Sequence, residues 1–138
     1  MASRTATPLV HPGVNELVFT TVMAALSDPV RLGIVAVLAD HPGTPCGTFE
    51  LPVGKSAGSR HFRVLREAGL LRQWDDGTRR RNALRREECD RRFPGILDLA
   101  IAEGRRQGTV RVADHADPDY VRVDTAPQRD ASDPDATP

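Results

Sequence analysis

The chain has 138 residues, no net charge at pH 7, 39% hydrophobic residues and only 4% aromatic residues. Its length favours a single domain, and the scarcity of aromatic residues disfavours a β-sandwich or barrel. No apolar run approaches the ~20 residues of a membrane span, and the N-terminus lacks the apolar stretch of a secretory signal. We therefore expect a mainly helical, soluble cytoplasmic protein.

The zero net charge conceals an uneven distribution of charge along the chain. Residues 55–92 hold twelve basic and six acidic side chains, whereas residues 1–54 hold two and four, and residues 109–138 hold three and seven. A basic segment between acidic flanks is a local electrostatic signature of nucleic-acid binding.

The predicted elements begin after a flexible N-terminal arm at residues 1–12. An apolar stripe at helical spacing predicts a first helix from about Val14. That stripe consists of Leu17, Val18, Val22 and Leu26. Asp28 is a typical N-cap residue and Pro29 suits the first helical position, so a second helix begins there. It ends before the breaker at residues 41–43.

A third and a fourth helix are expected in the middle of the chain. The third is a short helical turn within residues 44–50, which Pro52 interrupts. The fourth spans about Lys55–Ala68 and ends at Gly69, a typical C-terminal cap residue. Its apolar face consists of Phe62, Leu65 and Ala68, and its opposite face of Ser59, Arg60, Arg63 and Arg66.

A β-hairpin follows, with predicted strands at Leu70–Trp74 and Arg79–Leu84. The residues between them, Asp75-Asp76-Gly77-Thr78, are a hairpin signal, because Asp-Gly tolerates the positive φ of tight turns. The second strand opens with three arginines, Arg79, Arg80 and Arg81.

Two helical segments are expected after the hairpin, at residues 86–92 and 94–106, because Pro94-Gly95 interrupts the pattern. Residues 107–138 are acidic, proline-rich and almost free of large apolar side chains, which favours disorder. The predicted folded domain therefore spans residues 13–106.

This order of elements is that of a winged helix-turn-helix, a mainly α fold with a small two-stranded β-hairpin. An α-helix fits the major groove of DNA, and its exposed face supplies hydrogen-bond donors to base edges and phosphates. A basic hairpin can lie over the adjacent backbone.

Two motifs resemble the ArsR/SmtB family of bacterial regulators: ALSDPVRL at residues 25–32 and SRHFRVLREAGLL at residues 59–71. The resemblance covers about residues 14–104. It implies a homodimer joined through its first and last helices. It also implies binding to inverted repeats in double-stranded DNA near promoters, usually as a repressor.

The resemblance also implies which residues contact DNA. On the fourth helix, which would be the recognition helix, they are Lys55, Ser56, Ser59 and Arg60, with Arg63 beside them. On the β-hairpin, which would be the wing, they are Arg79, Arg80 and Arg81. The alternative is that these side chains only cap or solvate their elements. Since side chains alternate along a strand, about two of the three wing arginines are expected to face the DNA.

Three further residues near these motifs have predicted roles. Arg66 is expected to solvate the helix surface, and His61 to be a packed or hydrogen-bonded structural residue. Arg31 is expected to form either an internal ion pair or a phosphate contact, and the sequence leaves both open.

Many members of the family sense a metal, but the usual ligand sets are incomplete here. Cys46 stands alone where one version of the site has two cysteines, and residues 86–106 contain no histidine. Imidazole with carboxylate suits Ni or Zn. The candidate ligands that remain are His11, Asp114, His115 and Asp117. The alternative is that these are solvated polar residues.

Three functional hypotheses follow: a sequence-specific transcription regulator, a metal- or redox-responsive version of it, and a winged-helix module that binds protein. Cys46 and Cys89 are either a redox pair or two ordinary thiols. The chain lacks a nucleophile elbow, a phosphate loop and a zinc-protease motif, so no enzyme is predicted. Basic residues on both helix and wing favour the first hypothesis over the protein-binding module.

Overall fold

The computed structural model describes residues 9–113. Within them, single-turn 3-10 helices occur at Val14–Glu16 and Cys46–Thr48. The described helices are α1 (Phe19–Ala25), α2 (Pro29–Asp40), α3 (Lys55–Glu67), α4 (Arg86–Arg92) and α5 (Ile96–Gln107). The described strands are β1 (Phe49–Glu50), β2 (Leu71–Asp76), β3 (Arg79–Leu84) and β4 (Arg111–Val112). The predicted winged helix-turn-helix order is confirmed.

Helix α2 lies at the centre of the domain and begins where the sequence predicted. The Asp28 carboxylate accepts hydrogen bonds from the backbone N–H groups of Val30 and Arg31, at 2.8 and 3.2 Å, which satisfies two of the four free donors of the first turn. Helix α5 crosses α2 closely at Gly104, where a Cβ atom would lie 2.3 Å from the carbonyl oxygen of Leu32. This close approach packs α5 directly against α2.

The first helix begins later than predicted. After the turn at Val14–Glu16, Leu17 and Val18 are extended, and α1 begins at Phe19. The cause is tertiary: the Leu17 side chain is buried against Gly69, where a Cβ atom would lie 2.1 Å from a Leu17 methyl carbon. Gly69 also has φ of +90°, which a glycine adopts without strain.

The predicted division of the chain needs correction at both ends of the domain. Residues 9–12 of the arm contact the fold, since the Pro12 carbonyl accepts a 2.7 Å hydrogen bond from Arg85. At the other end, Val110 is buried and β4 pairs with β1 in antiparallel register. The boundary predicted at residue 106 is therefore too early, because the β1–β4 pairing is a long-range contact. The rest of the predicted tail lies outside the described residues.

The hairpin forms with a tighter loop than predicted. Strands β2 and β3 pair from Leu71 opposite Leu84 to Asp76 opposite Arg79, so the loop is Gly77-Thr78 alone. Gly77 has φ of +66°, the positive value that two-residue hairpin loops require. Asp75 and Asp76 thus belong to the strand.

Among the described residues, no single helix is long and apolar enough to cross a membrane. Helices α1 and α2 pass that test only when taken together, and the chain bends by 96° between them.

Candidate nucleic-acid interface

Helix α3 is amphipathic, and this pattern decides which of its faces meets solvent. Gly58, Phe62 and Leu65 are buried against the core, and the Phe62 ring meets the Phe49 ring edge-on at 5.0 Å. The opposite face therefore points outward along the whole helix.

That outward face carries the five predicted recognition residues. All five are exposed, and none forms a side-chain hydrogen bond or ion pair with the residues that the structure describes. They are Lys55, Ser56, Ser59, Arg60 and Arg63. The helix N-cap is Gly54, which has no side chain to satisfy the first N–H groups. The predicted alternative, in which the serines cap this helix, therefore receives no support from the structure.

Arg31 and His61 hold one edge of α3, and Arg31 makes internal hydrogen bonds in place of the predicted internal ion pair. The Arg31 guanidinium donates to the carbonyl oxygens of Ala25 and Ala24 at the end of α1, at 2.6 and 3.4 Å. It also lies 3.0 Å from Nδ1 of His61. Among the described residues Arg31 thus joins α1 to α3 without an ion pair, and His61 has the structural contact predicted for it.

Arg66 occupies the other edge of α3 and is not a solvating residue. Its side chain is largely buried, and Nη1 donates to Oε1 of Gln73 in β2 at 2.8 Å. Burial lowers the pKa of this guanidinium, and the carboxylate of Glu67 partly opposes the effect. The sequence prediction for Arg66 is wrong because its partner lies on another element.

The three wing arginines have different environments. Arg79 is exposed beside the hairpin loop. Arg80 is partly buried and forms an ion pair with Asp75 at 3.0 Å. Arg81 is 1% exposed and donates to the carbonyl of Gly43 at 3.1 Å and to Asp76 at 2.8 Å. Arg81 is therefore removed from the predicted DNA-contacting set, because its guanidinium is buried and held by the Gly43 carbonyl and the Asp76 carboxylate.

A buried polar layer beneath the wing was missed by the sequence reasoning. Gln73 and Asn82 face each other across the hairpin, and both are buried. The available signal was the alternation of β2, which places Gln73 on the same inward face as Leu71. Both amides also lie near Cys46, whose sulfur is 3.3 Å from Nδ2 of Asn82 and 3.7 Å from Nε2 of Gln73.

Only His11 of the four candidate metal ligands lies within the described residues. Its Nε2 accepts a 3.0 Å hydrogen bond from the backbone N–H of Gln73. Burial lowers the pKa of His11, and the charges of Arg66, Arg85 and Arg72 lower it further. A cationic surrounding opposes metal binding at this ring. Asp114, His115 and Asp117 lie outside the described residues, so the metal hypothesis stays a prediction.

Neither cysteine forms a disulfide bond within the described residues. Cys89 is buried, and its sulfur lies 3.6 Å from the carbonyl oxygen of Gly69. Burial raises its pKa to about 11, which leaves almost no thiolate at neutral pH. Within the residues described, no group of three histidine, cysteine or acidic side chains is arranged to hold a metal ion.

Comparison with known families agrees with this architecture. The family model of the bacterial regulatory proteins of the arsR family matches residues 28–73, from the cap of α2 to the middle of β2. The resemblance seen in the sequence is thereby confirmed for this segment, which is similar to the helix-turn-helix domain of that family. A search of curated proteins finds no significant match.

The environments of His11 and His61 predict a pH-dependent stability. Burial lowers the pKa of both rings below the usual 6.5; for His61 the carboxylate of Asp28 opposes the effect, while Arg31 and Arg60 add to it. The unfolded chain therefore takes up protons that the folded chain does not. The stability contributed is complete above pH 6.5 and is lost as the pH falls through the lowered values.

We expect the free energy of unfolding, measured in urea at constant ionic strength, to fall as the pH is lowered from 6.5, the ordinary pKa of histidine, through the lowered pKa values of the two rings. His11→Gln and His61→Gln replace each ring with a group that does not titrate, so each should flatten this dependence. A double variant with the pH profile of the natural chain would contradict the assignment.

Proposed function

We propose that the chain is a transcription regulator that binds specific double-stranded DNA as a homodimer and acts as a repressor. The arsR-family match over residues 28–73 supports the general class. The observation that carries the proposal is the outward face of α3, whose cationic and hydroxyl groups have no partners among the described residues. A protein-binding winged helix would more often present apolar side chains at this face.

The groups on this face suit the major groove. An α-helix fits the groove, and arginine donates two parallel hydrogen bonds to the O6 and N7 atoms of guanine. Arg60 and Arg63 lie one turn apart on α3 and would reach successive base edges. Lys55 and Ser56 lie at the N-terminal end, where free N–H groups and the helix dipole favour a phosphate.

The wing would contact the flanking backbone through Arg79. This residue is next to the Gly77-Thr78 loop, at the point of the hairpin farthest from the core. Arg80 lies beside it, with the carboxylate of Asp75 partly offsetting its charge. Phosphate contacts of this kind set the register of a protein on the duplex without reading the sequence.

An exposed apolar surface supports the homodimer. Phe19 is 50% exposed and Leu99 is 64% exposed. Exposed large apolar side chains that cluster usually mark an interface with another molecule. Phe19 also meets the Phe93 ring edge-on at 5.6 Å, so α1 lies close to the segment that leads into α5. The patch consists of Val18, Phe19, Met23 and Phe93, on and beside α1, and Leu99 is a further exposed apolar side chain on α5.

A second copy of the chain is the occupant that this patch best fits. A two-fold dimer buries the same patch on both subunits, and it presents two α3 helices to a DNA site with two-fold symmetry. Half-sites would then be separated by about one helical turn, roughly 34–36 Å. Binding of this kind near a promoter excludes other proteins from the duplex, which is how it would repress.

The first prediction concerns Arg60 and uses a duplex selected from a randomised library by the full chain. Arg60→Ala should weaken binding to the selected duplex by about 1–3 kcal/mol and relax base preference at one position, because a bidentate base contact is lost. Arg91→Ala is the matched control, since Arg91 is an exposed arginine on α4. Failure of the natural chain to enrich any duplex would refute the proposed function itself.

The second prediction separates Arg79 from Arg81. Arg79→Gln should reduce the slope of log K against log salt by about 0.9, because one phosphate contact is lost. Arg81→Gln should instead lower the free energy of unfolding by about 1–3 kcal/mol, because the Gly43 carbonyl loses a buried donor. An equal change of slope in both variants would show that the assigned environments are wrong.

The third prediction concerns the subunit interface. The full chain should sediment at twice its 15.1 kDa mass, and Phe19→Glu should shift it toward monomer, because a charge in an apolar interface is costly. Val10→Glu is the control, since Val10 is an exposed apolar residue of the arm, next to His11, which contacts Gln73 of β2. A monomer in the natural chain at micromolar concentration would argue against the dimer while leaving DNA binding open.

A further inference from the structure

A chain of side-chain hydrogen bonds connects α3 to the base of the wing and to the loop before β1. Arg66 Nη1 donates to Gln73 Oε1 at 2.8 Å, and Gln73 Nε2 donates to Asn82 Oδ1 at 2.7 Å. Asn82 Nδ2 then donates to the carbonyl of Thr44 at 3.0 Å. We call this chain the wing-base network.

The network is buried, which makes its geometry difficult to change. Gln73 is 4% exposed and Asn82 is 0% exposed. Each amide donates through its nitrogen and accepts through its oxygen, so a rotation of either side chain would leave a buried group without a partner. Such a group costs about 1–3 kcal/mol, which holds both amides in one arrangement.

Arg66 is a poor choice for this position if stability is its only contribution. Its Nε atom is buried without a hydrogen-bond partner among the described residues, and burial lowers its pKa. An apolar side chain of similar length would pack there without those costs. The retained interaction is directional: a hydrogen bond from the recognition helix to the wing.

Direction matters because the wing is a two-stranded hairpin. Such a hairpin is marginally stable by itself, so its orientation depends on what holds its base. Gln73 lies three residues from the last residue of β2, Asp76, or about 10 Å at about 3.3 Å per residue. A rotation of about 20° at the base would therefore move the tip, and with it Arg79, by about 3.5 Å. That displacement is larger than a hydrogen bond tolerates.

We propose that Arg66 and Gln73 are positioning residues for DNA recognition. Their hydrogen bond fixes the angle between α3 and the wing, so that α3 can lie in the major groove while Arg79 meets the adjacent backbone. This inference rests on the proposed function, and neither residue needs to touch DNA.

The test uses full-length variants and two duplexes, one selected from a randomised library and one alternating dA-dT duplex as a non-specific probe. Arg66→Met and Gln73→Met each remove one partner of the hydrogen bond. Each should reduce the ratio of selected to non-specific affinity by about tenfold, because the wing and the helix no longer engage together. Each variant is assayed at a temperature where its unfolding curve shows the folded state.

Double-mutant cycles distinguish this role from a general loss of charge or stability. The double variant of Arg66→Met and Gln73→Met should bind the selected duplex no more weakly than either single variant, since both remove the same interaction. The matched cycle of Arg63→Met with Gln73→Met should be additive, because Arg63 forms no hydrogen bond with Gln73 among the described contacts. Arg66→Lys keeps a donor and the charge, so it should recover the ratio to within about threefold of the natural chain.

Additive effects of Arg66→Met and Gln73→Met, or a ratio within about twofold of the natural chain in both variants, would overturn the inference. If Gln73→Met does not fold, the comparison of Arg66→Met with Arg66→Lys decides, since both alter only the α3 end of the network. If the natural chain enriches no duplex in the selection, the proposed function itself is refuted. The selection comes before the variants are tested, so the two failures are distinguishable.

Discussion

The placement of α3 depends on hydrogen bonds made by arginines at its two edges. Arg31 reaches from α2 to the final carbonyls of α1 and to His61, and Arg66 reaches from α3 itself to β2. Apolar burial of Phe62 and Leu65 decides which face of the helix points inward, but the hydrophobic effect is non-directional and leaves the finer orientation of the helix to other contacts. The edge contacts supply direction, and they leave the outward face free to carry charge.

The basic segment therefore contains arginines of two kinds, which a count of charges does not distinguish. Arg66 and Arg81 are buried and donate to groups within the protein, whereas Arg60, Arg63 and Arg79 are exposed. Arginine serves both uses because its planar, permanently charged group can donate several hydrogen bonds at once. Fewer arginines are consequently available for direct contact with a ligand than the count of charges in residues 55–92 implies.

Local patterns in the sequence were sufficient to predict most of the helices and strands. Features that depend on contacts between distant segments were not predicted. The Asp28 cap, the apolar stripe of α3 and the Gly77 loop each act over a few residues, so their elements were predicted within a residue or two. The late start of α1 and the β1–β4 pairing depend on partners far along the chain. The same reason explains why the predictions for Arg66 and Arg81 were wrong. The sequence does not distinguish a buried arginine from an exposed one until the element that packs against it is known.

Helix α1 connects the two surfaces that the proposed function requires. Its outer side carries Phe19 in the apolar patch, and its last carbonyls, on Ala24 and Ala25, hold the Arg31 guanidinium that contacts α3. The helix has only seven residues, so a displacement of α1 at a subunit interface would move those carbonyls with it. Since packed interiors transmit strain, the way two subunits would meet in the proposed dimer and the way α3 is seated would be mechanically linked through one short helix.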